Sequence, residues 1–249
     1  MAQAEIEPLA APTVDIRDLS FAYDKQPVLQ NIDLEITEGS VVMIIGRSGG
    51  GKTTLLRLIG GLLQSTQGEI KLFGEELQRK KHACDPRTAY IPQQLGLVRS
   101  FSVETNTLTG ALSRVNTLLS LFKIFPKNIR LEADAKLEKL GIAHKAREAV
   151  HNLSGGERQR VAIGRALMQQ AKVILADEFV SQLDPVTTKE IMEIVRKLAK
   201  ESTTFIIATH ELSVLRHYGQ RVILLRNGQK VGDAEAGQLS NDQVMALMR

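Results

Sequence analysis

A glycine-rich run in the N-terminal half of the chain has the residue types needed to hold a polyphosphate. Its residues, which fit the pattern G-x-x-x-x-G-K-[ST], are Gly46, Arg47, Ser48, Gly49, Gly50, Gly51, Lys52 and Thr53. Glycines let successive backbone N–H groups turn toward phosphate oxygens, and a helix N-terminus adds partial positive charge. We expect Lys52 to reach the β- and γ-phosphates of a nucleotide and the Thr53 hydroxyl to bind Mg²⁺. Thr54 belongs to the same predicted nucleotide site.

An apolar segment later in the chain ends in two adjacent carboxylates. Val173 to Ala176 are followed directly by Asp177 and Glu178. A buried strand rarely ends in this way unless a cation or water binds the carboxylates, because desolvating a carboxylate is costly. With a phosphate loop in the same chain, Asp177 is expected to hold Mg²⁺ through a bound water, and Glu178 to polarise the attacking water. In isolation the same pair could be an exposed strand end.

The elements that must position these residues follow from the hydrophobic pattern. Short apolar segments, several rich in β-branched residues, predict strands at Val14–Leu19, Val41–Ile45, Glu69–Leu72, Ala89–Pro92, Val173–Ala176, Thr204–Ala208 and Arg221–Leu225. Helical patterns occupy Lys52–Leu62, Pro185–Lys200 and Leu212–Tyr218. Strands that alternate with helices predict an α/β fold whose sheet is largely parallel in its core.

Residues from about 101 to 168 differ from the rest because they carry few strand signals and include a helical pattern at Leu131–Leu140. We predict one domain over 13–231, with a core of about 13–93 and 169–231 and a helical insertion of about 94–168. A loose tail is expected over 1–12, and a C-terminal extension over 232–249 with a helix near Asn241–Met248.

Composition narrows the function classes. Apolar residues make up 43% and charged residues 24%, which argues against disorder. The net charge of +4 is mild and the basic residues are spread along the chain, so no nucleic acid is expected as a partner. A single cysteine, Cys84, excludes an intrachain disulfide and fits a reducing compartment. No apolar stretch approaches the roughly 20 residues needed to span a bilayer, so any membrane role is expected to come through a partner.

One further motif makes the chain resemble a known family. Asn152 to Arg160, read as Asn-Leu-Ser-Gly-Gly-Glu-Arg-Gln-Arg, looks like the signature sequence of ATP-binding-cassette (ABC) ATPases. The order of the other elements matches that family too. Tyr23 resembles the aromatic that stacks on adenine, Gln93 the glutamine that senses Mg²⁺ and the attacking water, Asp184 the end of the D-loop Ser181–Asp184, and His210 the switch histidine at the γ-phosphate.

The resemblance implies a P-loop NTPase (RecA-like) core with a mixed, largely parallel sheet, an N-terminal antiparallel β part and a helical insertion. It also implies ATP and Mg²⁺ as cofactors and a head-to-tail homodimer. Ser154 is a good helix N-cap, and the glycines after it free backbone N–H groups for a second anion site. In the family, this helix start closes over the ATP of the other copy, with Ser154, Gly155, Gly156 and Glu157 here in the matching positions. Val28 is assigned to the nucleotide site on the same resemblance.

Three departures from the family pattern stand out. Phe179 occupies the place of the proline that usually follows the catalytic glutamate, and Gln182 replaces a small D-loop residue. The segment Ser102–Asn106 lacks the usual acidic residue directly before the asparagine. None of the three removes a residue from the expected catalytic set.

The segment Asn106–Lys127 resembles the corresponding stretch of ATPases from phosphonate and phosphite uptake systems. The resemblance implies separate integral membrane permease subunits, a periplasmic or lipid-anchored solute-binding protein, and a peripheral location on the cytoplasmic face of the inner (cell) membrane. Three alternatives stay open: the ATPase of another ABC importer or exporter (for another small solute, an amino acid or a lipoprotein), a non-transport ABC ATPase, and a regulatory nucleotide-binding module without turnover.

Overall fold

The strands of the protein form two sheets. The computed structural model describes residues 12–77, 84–116, 124–211 and 218–238. In chain order the strands are β1 (Val14–Tyr23), β2 (Gln26–Ile36), β3 (Val41–Gly46), β4 (Gln67–Leu72), β5 (Glu75–Glu76), β6 (Thr88–Ile91), β7 (Val173–Asp177), β8 (Thr204–Thr209), β9 (Arg221–Arg226) and β10 (Gln229–Glu235). The helices are α1 (Lys52–Ile59), α2 (Val103–Leu108), α3 (Lys127–Lys139), α4 (Gly155–Met168) and α5 (Pro185–Lys200).

The larger sheet has the strand order β10-β9-β3-β8-β7-β6. All its neighbouring strands pair in parallel except β10, which runs antiparallel to β9. Residues of β3, β7 and β8 are buried throughout, which explains why these segments read as continuous apolar runs rather than alternating ones. The predicted α/β fold with a largely parallel core is confirmed.

Different elements cover the two faces of this sheet. Alternate residues of β3, such as Met43 and Ile45, pack in one core with α4 and α5. Val42 and Ile44 point to the opposite face, where they pack with α1 and the smaller sheet. That smaller sheet is antiparallel, in the order β2-β1-β4-β5, as predicted for the N-terminal β part. The carboxyl ends of β3, β7 and β8 therefore meet at one edge, between the two cores.

The helical insertion has a small core of its own, formed by Leu108, Ala111, Phe125, Ile129, Ala133 and Met168. Asn106 is 1% exposed and ties the preceding loop to α2. Its Nδ2 donates to the carbonyls of Val98 (3.0 Å) and Ser102 (3.1 Å), and its Oδ1 accepts the Val98 N–H. The insertion thus holds the loop that follows β6.

The unusual segment Ser102–Asn106 now has a physical explanation. Ser102 is the N-cap of α2 and accepts the N–H of Thr105, three residues on, while its hydroxyl donates to the Thr105 Oγ1 at 2.9 Å. A capping box would place Glu or Gln at this third position. Here the acidic residue is Glu104, which instead pairs with Arg130 of α3 at 3.0 Å. The acidic residue thus stands one position earlier than in the family pattern, and at this position it joins α2 to α3.

Sequence patterns located seven strands and overlooked β2, β5 and β10. The helix predicted over Lys52–Leu62 ends earlier, at Ile59, because Gly60 and Gly61 follow and Gly61 adopts a positive φ of 68°. β10 runs to Glu235, so the sheet continues past residue 231, where the predicted domain ended. The predicted helix Asn241–Met248 and all but the last residue of Leu212–Tyr218 lie outside the described residues. In the parts of the chain that the structure describes, none of the helices has the length and apolar character required to cross a membrane.

Candidate functional site

The glycine-rich loop joins β3 to α1 at the carboxyl edge of the larger sheet. Gly49 and Gly51 have φ values of 78° and 96°, a left-handed conformation that glycine adopts without strain. A Cβ atom on Gly51 would lie 2.6 Å from Leu29 Cδ2 and 3.1 Å from the Val28 carbonyl oxygen. Position 51 therefore needs glycine for two reasons: its positive φ, and the close packing of the loop against Val28 and Leu29. Val28 lies directly behind the loop.

Lys52 is buried at the start of α1 and turns toward the loop. Its Nζ donates to the carbonyl oxygens of Gly46 at 2.8 Å and Arg47 at 3.0 Å. Burial lowers the pKa of the ammonium, an effect that the carboxylates of Glu178 and Asp177 oppose. Thr54, the third residue of α1 counted from Lys52, is also buried, whereas Arg47, Ser48 and Gly49 form the exposed crest of the loop beside the buried Gly50.

Asp177 ends β7 and has a hydroxyl donor on each carboxylate oxygen. The Thr53 Oγ1 donates to Oδ1 at 3.0 Å, and the Tyr90 phenol donates to Oδ2 at 3.2 Å. Burial is the main cause that raises the pKa of Tyr90, so its hydroxyl keeps the proton that it donates. A hydroxyl and a carboxylate are hard oxygen ligands of the kind that Mg²⁺ prefers.

This donor set fits a magnesium ion that shares its ligands with phosphate. Mg²⁺ is commonly bound by one or two protein oxygens, with water and substrate phosphates completing the octahedron. Among the described residues, no group of three or more His, Cys, Asp or Glu side chains could form an all-protein metal site. Thr53 and Asp177 lie at the phosphate loop, where these residues and a bound phosphate could ligate the same Mg²⁺.

Glu178 begins the turn after β7 and contacts two other residues predicted for the site, Gln93 and His210. Gln93 Nε2 donates to its Oε2 at 2.9 Å, and His210 Nδ1 lies 3.2 Å from its Oε1. The Glu178 N–H donates to the Ala208 carbonyl, and the backbone has a positive φ of 45°. Gln93, Glu178 and His210 thus form one cluster, although they come from three separate segments.

Tyr23 lies at the end of β1 with 42% of its surface exposed. Its ring meets Phe21 edge-on, with 4.7 Å between the ring centroids. Tyr23 is therefore an aromatic residue with a large exposed fraction, as a base-stacking residue requires.

The signature residues form a second helix start, at α4. Ser154 is the N-cap and accepts the N–H of Glu157, whose carboxylate accepts the Ser154 N–H at 2.8 Å, a complete capping box. Burial would raise the pKa of Glu157, but the Lys145 ammonium at 2.9 Å and the Ser154 N–H hold it below its ordinary value. Gly155 and Gly156 occupy the first turn of the helix.

A separate cavity of about 290 Å³ adjoins this helix start, and its lining includes Ser154, Gly156, Glu157, His144, Arg160 and Thr187. None of the phosphate-loop residues lines it. Asp184 is the N-cap of α5 and accepts the N–H groups of Val186 and Thr187, each at 3.0 Å. Within one chain, the predicted residues therefore fall into two groups, one at the phosphate loop and one at the start of α4.

Two departures from the family pattern are also placed by the structure. Phe179 is 1% exposed and packs in the core that contains α4 and α5, while its carbonyl oxygen accepts a hydrogen bond from Gln159 of α4. Gln182 is exposed. The phenyl ring thus fills core volume, and nothing in the structure explains the choice of Gln182.

Sequence reasoning overlooked Tyr90. This residue lies three residues before Gln93, on the strand that leads to it. A polar hydroxyl in this short apolar segment was the available signal. The pairing register of β6 with β7 must be known before the contact of the Tyr90 phenol with Asp177 can be recognised.

Comparison with known proteins agrees with the family resemblance of these features. A sequence model of the ABC transporter family matches residues 29–181, which is more than half of the chain. The chain belongs to the ABC transporter family. Its relatives include the phosphonates import ATP-binding protein PhnC of Agrobacterium fabrum, 40% identical over 230 residues that cover 90% of this chain and 80% of that protein. PhnC of Escherichia coli O157:H7 is 37% identical over 244 residues, covering 94% of this chain and 93% of that protein.

Solved ABC cassettes share the fold. CbiO1 from Clostridium perfringens, part of the ABC transporter complex cbiONQ, has a TM-score of 0.83 and 26% identity, covering 95% of this chain and 94% of that one. The dimeric MJ0796 cassette bound to ADP and phosphate has a TM-score of 0.76 and 27% identity, covering 90% and 98%. The predicted family and the ATPase activity coupled to transport are thereby confirmed. ABC cassettes bind nucleotide, form dimers and act with membrane permease subunits.

Proposed function

We propose that this protein is the ATP-hydrolysing subunit of a phosphonate or phosphite importer. The observation that carries the proposal is its similarity to PhnC proteins from several bacteria, at 36–40% identity over at least 88% of the chain. The ATPase itself is not expected to touch the imported solute, because the site described above is built for a nucleotide. The substrate class therefore rests on the relatives, and the chemistry rests on the residues.

The chemistry assigned to the site uses each residue in one role. Lys52 exchanges its bonds to the loop carbonyls for the β- and γ-phosphates, and the loop N–H groups bind the remaining oxygens. Thr53 would bind Mg²⁺ directly and Asp177 would bind it through water, and a bound ion would supply positive charge to the phosphates. Tyr23 stacks on the adenine, with Val28 behind the loop.

Glu178 is the proposed general base for the attacking water. Two side chains hold it in place. Gln93 comes just after the end of β6, and His210 comes directly after the end of β8. Both contacts occupy carboxylate oxygens that a water would use. Release of one of them toward Mg²⁺ or the γ-phosphate would free Glu178 to accept a proton.

A second copy of the chain is proposed to complete the site. The start of α4 adjoins its own cavity, away from the phosphate loop of the same chain, so it is free to face a γ-phosphate bound elsewhere. In a head-to-tail homodimer, Ser154 and Gly156 of one copy would cover the ATP of the other. Asp184, at the N-terminus of α5, would lie at the same interface.

The partners follow from the proposed role. The subunit would act on separate integral membrane permease subunits at the cytoplasmic face of the cell membrane, and a solute-binding protein outside would supply phosphonate or phosphite. No nucleic acid is expected to bind.

Reconstitution tests the proposal. The ATPase and its genomically adjacent permease are placed in proteoliposomes with the neighbouring solute-binding protein, and phosphate release is measured. Loading the binding protein with a phosphonate or phosphite should raise turnover several-fold, whereas amino acids or sulfate should not. Stimulation by an unrelated solute alone would assign a different importer, and co-purification with ribosomes or DNA would contradict the transport role.

A further inference from the structure

Tyr90 and Asp177 are brought together by strand register. Parallel pairing of β6 with β7 places Tyr90 beside Leu175, and Asp177 lies two residues further along β7. Side chains two residues apart on a strand point to the same face, so Tyr90 and Asp177 share the face that packs against α1. The phenol reaches the Asp177 Oδ2 at 3.2 Å.

From this arrangement we propose that Tyr90 is a positioning residue for the metal-side carboxylate of Asp177. The inference rests on the proposed function, because it concerns the same magnesium site. It extends that function by linking the site to β6, the strand that leads directly to Gln93.

Asp177 needs such a donor because it is 5% exposed. A buried carboxylate that lacks partners carries a large desolvation penalty. Thr53 donates to Oδ1, and its hydroxyl can keep that bond while an oxygen lone pair binds Mg²⁺. One donor leaves the carboxylate free to rotate about that bond. The Tyr90 phenol donates to the other oxygen, Oδ2, and thereby fixes the plane of the carboxylate.

Removal of the phenol oxygen alone tests the proposal. Tyr90→Phe keeps the ring in its packed position, and the free Mg²⁺ concentration required for half-maximal binding of fluorescent ATP should rise about tenfold, since one hydrogen bond to a charged group is lost. ATP affinity in EDTA should stay within twofold. The Mn²⁺ electron paramagnetic resonance spectrum of the Mn²⁺–ATP complex should also change.

The matched control is Thr88→Val. Thr88 lies on the same strand and the same face as Tyr90, and its buried hydroxyl has no partner in the described residues. Its removal should leave the Mg²⁺ dependence unchanged. A Tyr90→Phe protein with the Mg²⁺ dependence and Mn²⁺ spectrum of the unaltered protein would overturn the positioning role. Failure of the unaltered protein to bind nucleotide in a Mg²⁺-dependent manner would instead overturn the proposed function.

Discussion

Two helices of this protein begin at glycine-rich segments that we propose to bind phosphate, and their N-termini are built differently. α1 starts after Gly51, with no side-chain cap and no acidic residue in its first turn. α4 starts after Ser154, with a complete capping box and Glu157 in its first turn. The first helix leaves its N–H groups for a ligand, whereas the second satisfies two of its own.

The difference indicates the order in which the two helix starts act. An uncapped N-terminus beside Lys52 attracts phosphate by itself, because the helix dipole and the ammonium add. At α4 the negative charge of Glu157 offsets the positive end of the helix dipole, so this helix start attracts a free anion less strongly. We expect α1 to bind ATP in the single chain, and α4 to engage the γ-phosphate only when another copy presents it.

Glu178→Gln should have the largest effect of the changes that sharpen this comparison. The amide keeps the shape of the side chain but loses the ability to accept a proton, so phosphate release should fall by about 10²–10⁴-fold. ATP should remain bound with both helix starts engaged, and gel filtration should detect a stable dimer. Turnover close to that of the unaltered protein would remove Glu178 from the role of base.

Lys52→Ala should have the next largest effect, and it tests the uncapped helix start. Loss of the buried ammonium removes the charge that adds to the α1 dipole, so ATP affinity of the isolated chain should fall by at least tenfold. Isothermal titration calorimetry measures the change. If ATP affinity were unaltered, the phosphate would have to be held by other residues.

Ser154→Ala should have the smallest effect on the single chain and tests the capped start. Loss of an N-cap costs about 1 kcal/mol of stability, which urea denaturation can measure. ATP affinity of the single chain should stay unchanged, while phosphate release from the dimer should fall. Equal losses in ATP affinity for Ser154→Ala and Lys52→Ala would erase the distinction between the two helix starts.

Much of the fold could be predicted because both faces of the central strands are covered. β3, β7 and β8 are apolar along most of their length for this reason, and their predicted boundaries are off by one residue at most. β2 and β10 belong to partly exposed, antiparallel pairs and contain many polar residues, so the same criterion overlooked them. The end of α1 was predicted three residues too late, because Gly60 and Gly61 end the helix there.

The candidate site was predictable where one segment supplies both the residue and its context. The phosphate loop and the two carboxylates at the end of β7 are of this kind. Tyr90 was not found because its partner, Asp177, is distant in sequence and reaches it only through the pairing of β6 with β7. The cluster of Gln93, Glu178 and His210 was assembled by family resemblance, and the structure gives its distances.

A mixing experiment tests most directly whether one ATP is held by two chains. Two variants are prepared in the Glu178→Gln background: one adds Lys52→Ala and lacks a working phosphate loop, and the other adds Ser154→Arg and lacks a working α4 start. Each alone should stay monomeric with ATP, and an equimolar mixture should form a heterodimer that retains one ATP, measured by gel filtration and nucleotide analysis. A mixture that remains as monomeric as its parts, or a Ser154→Arg protein that dimerises around ATP unaided, would contradict the shared site.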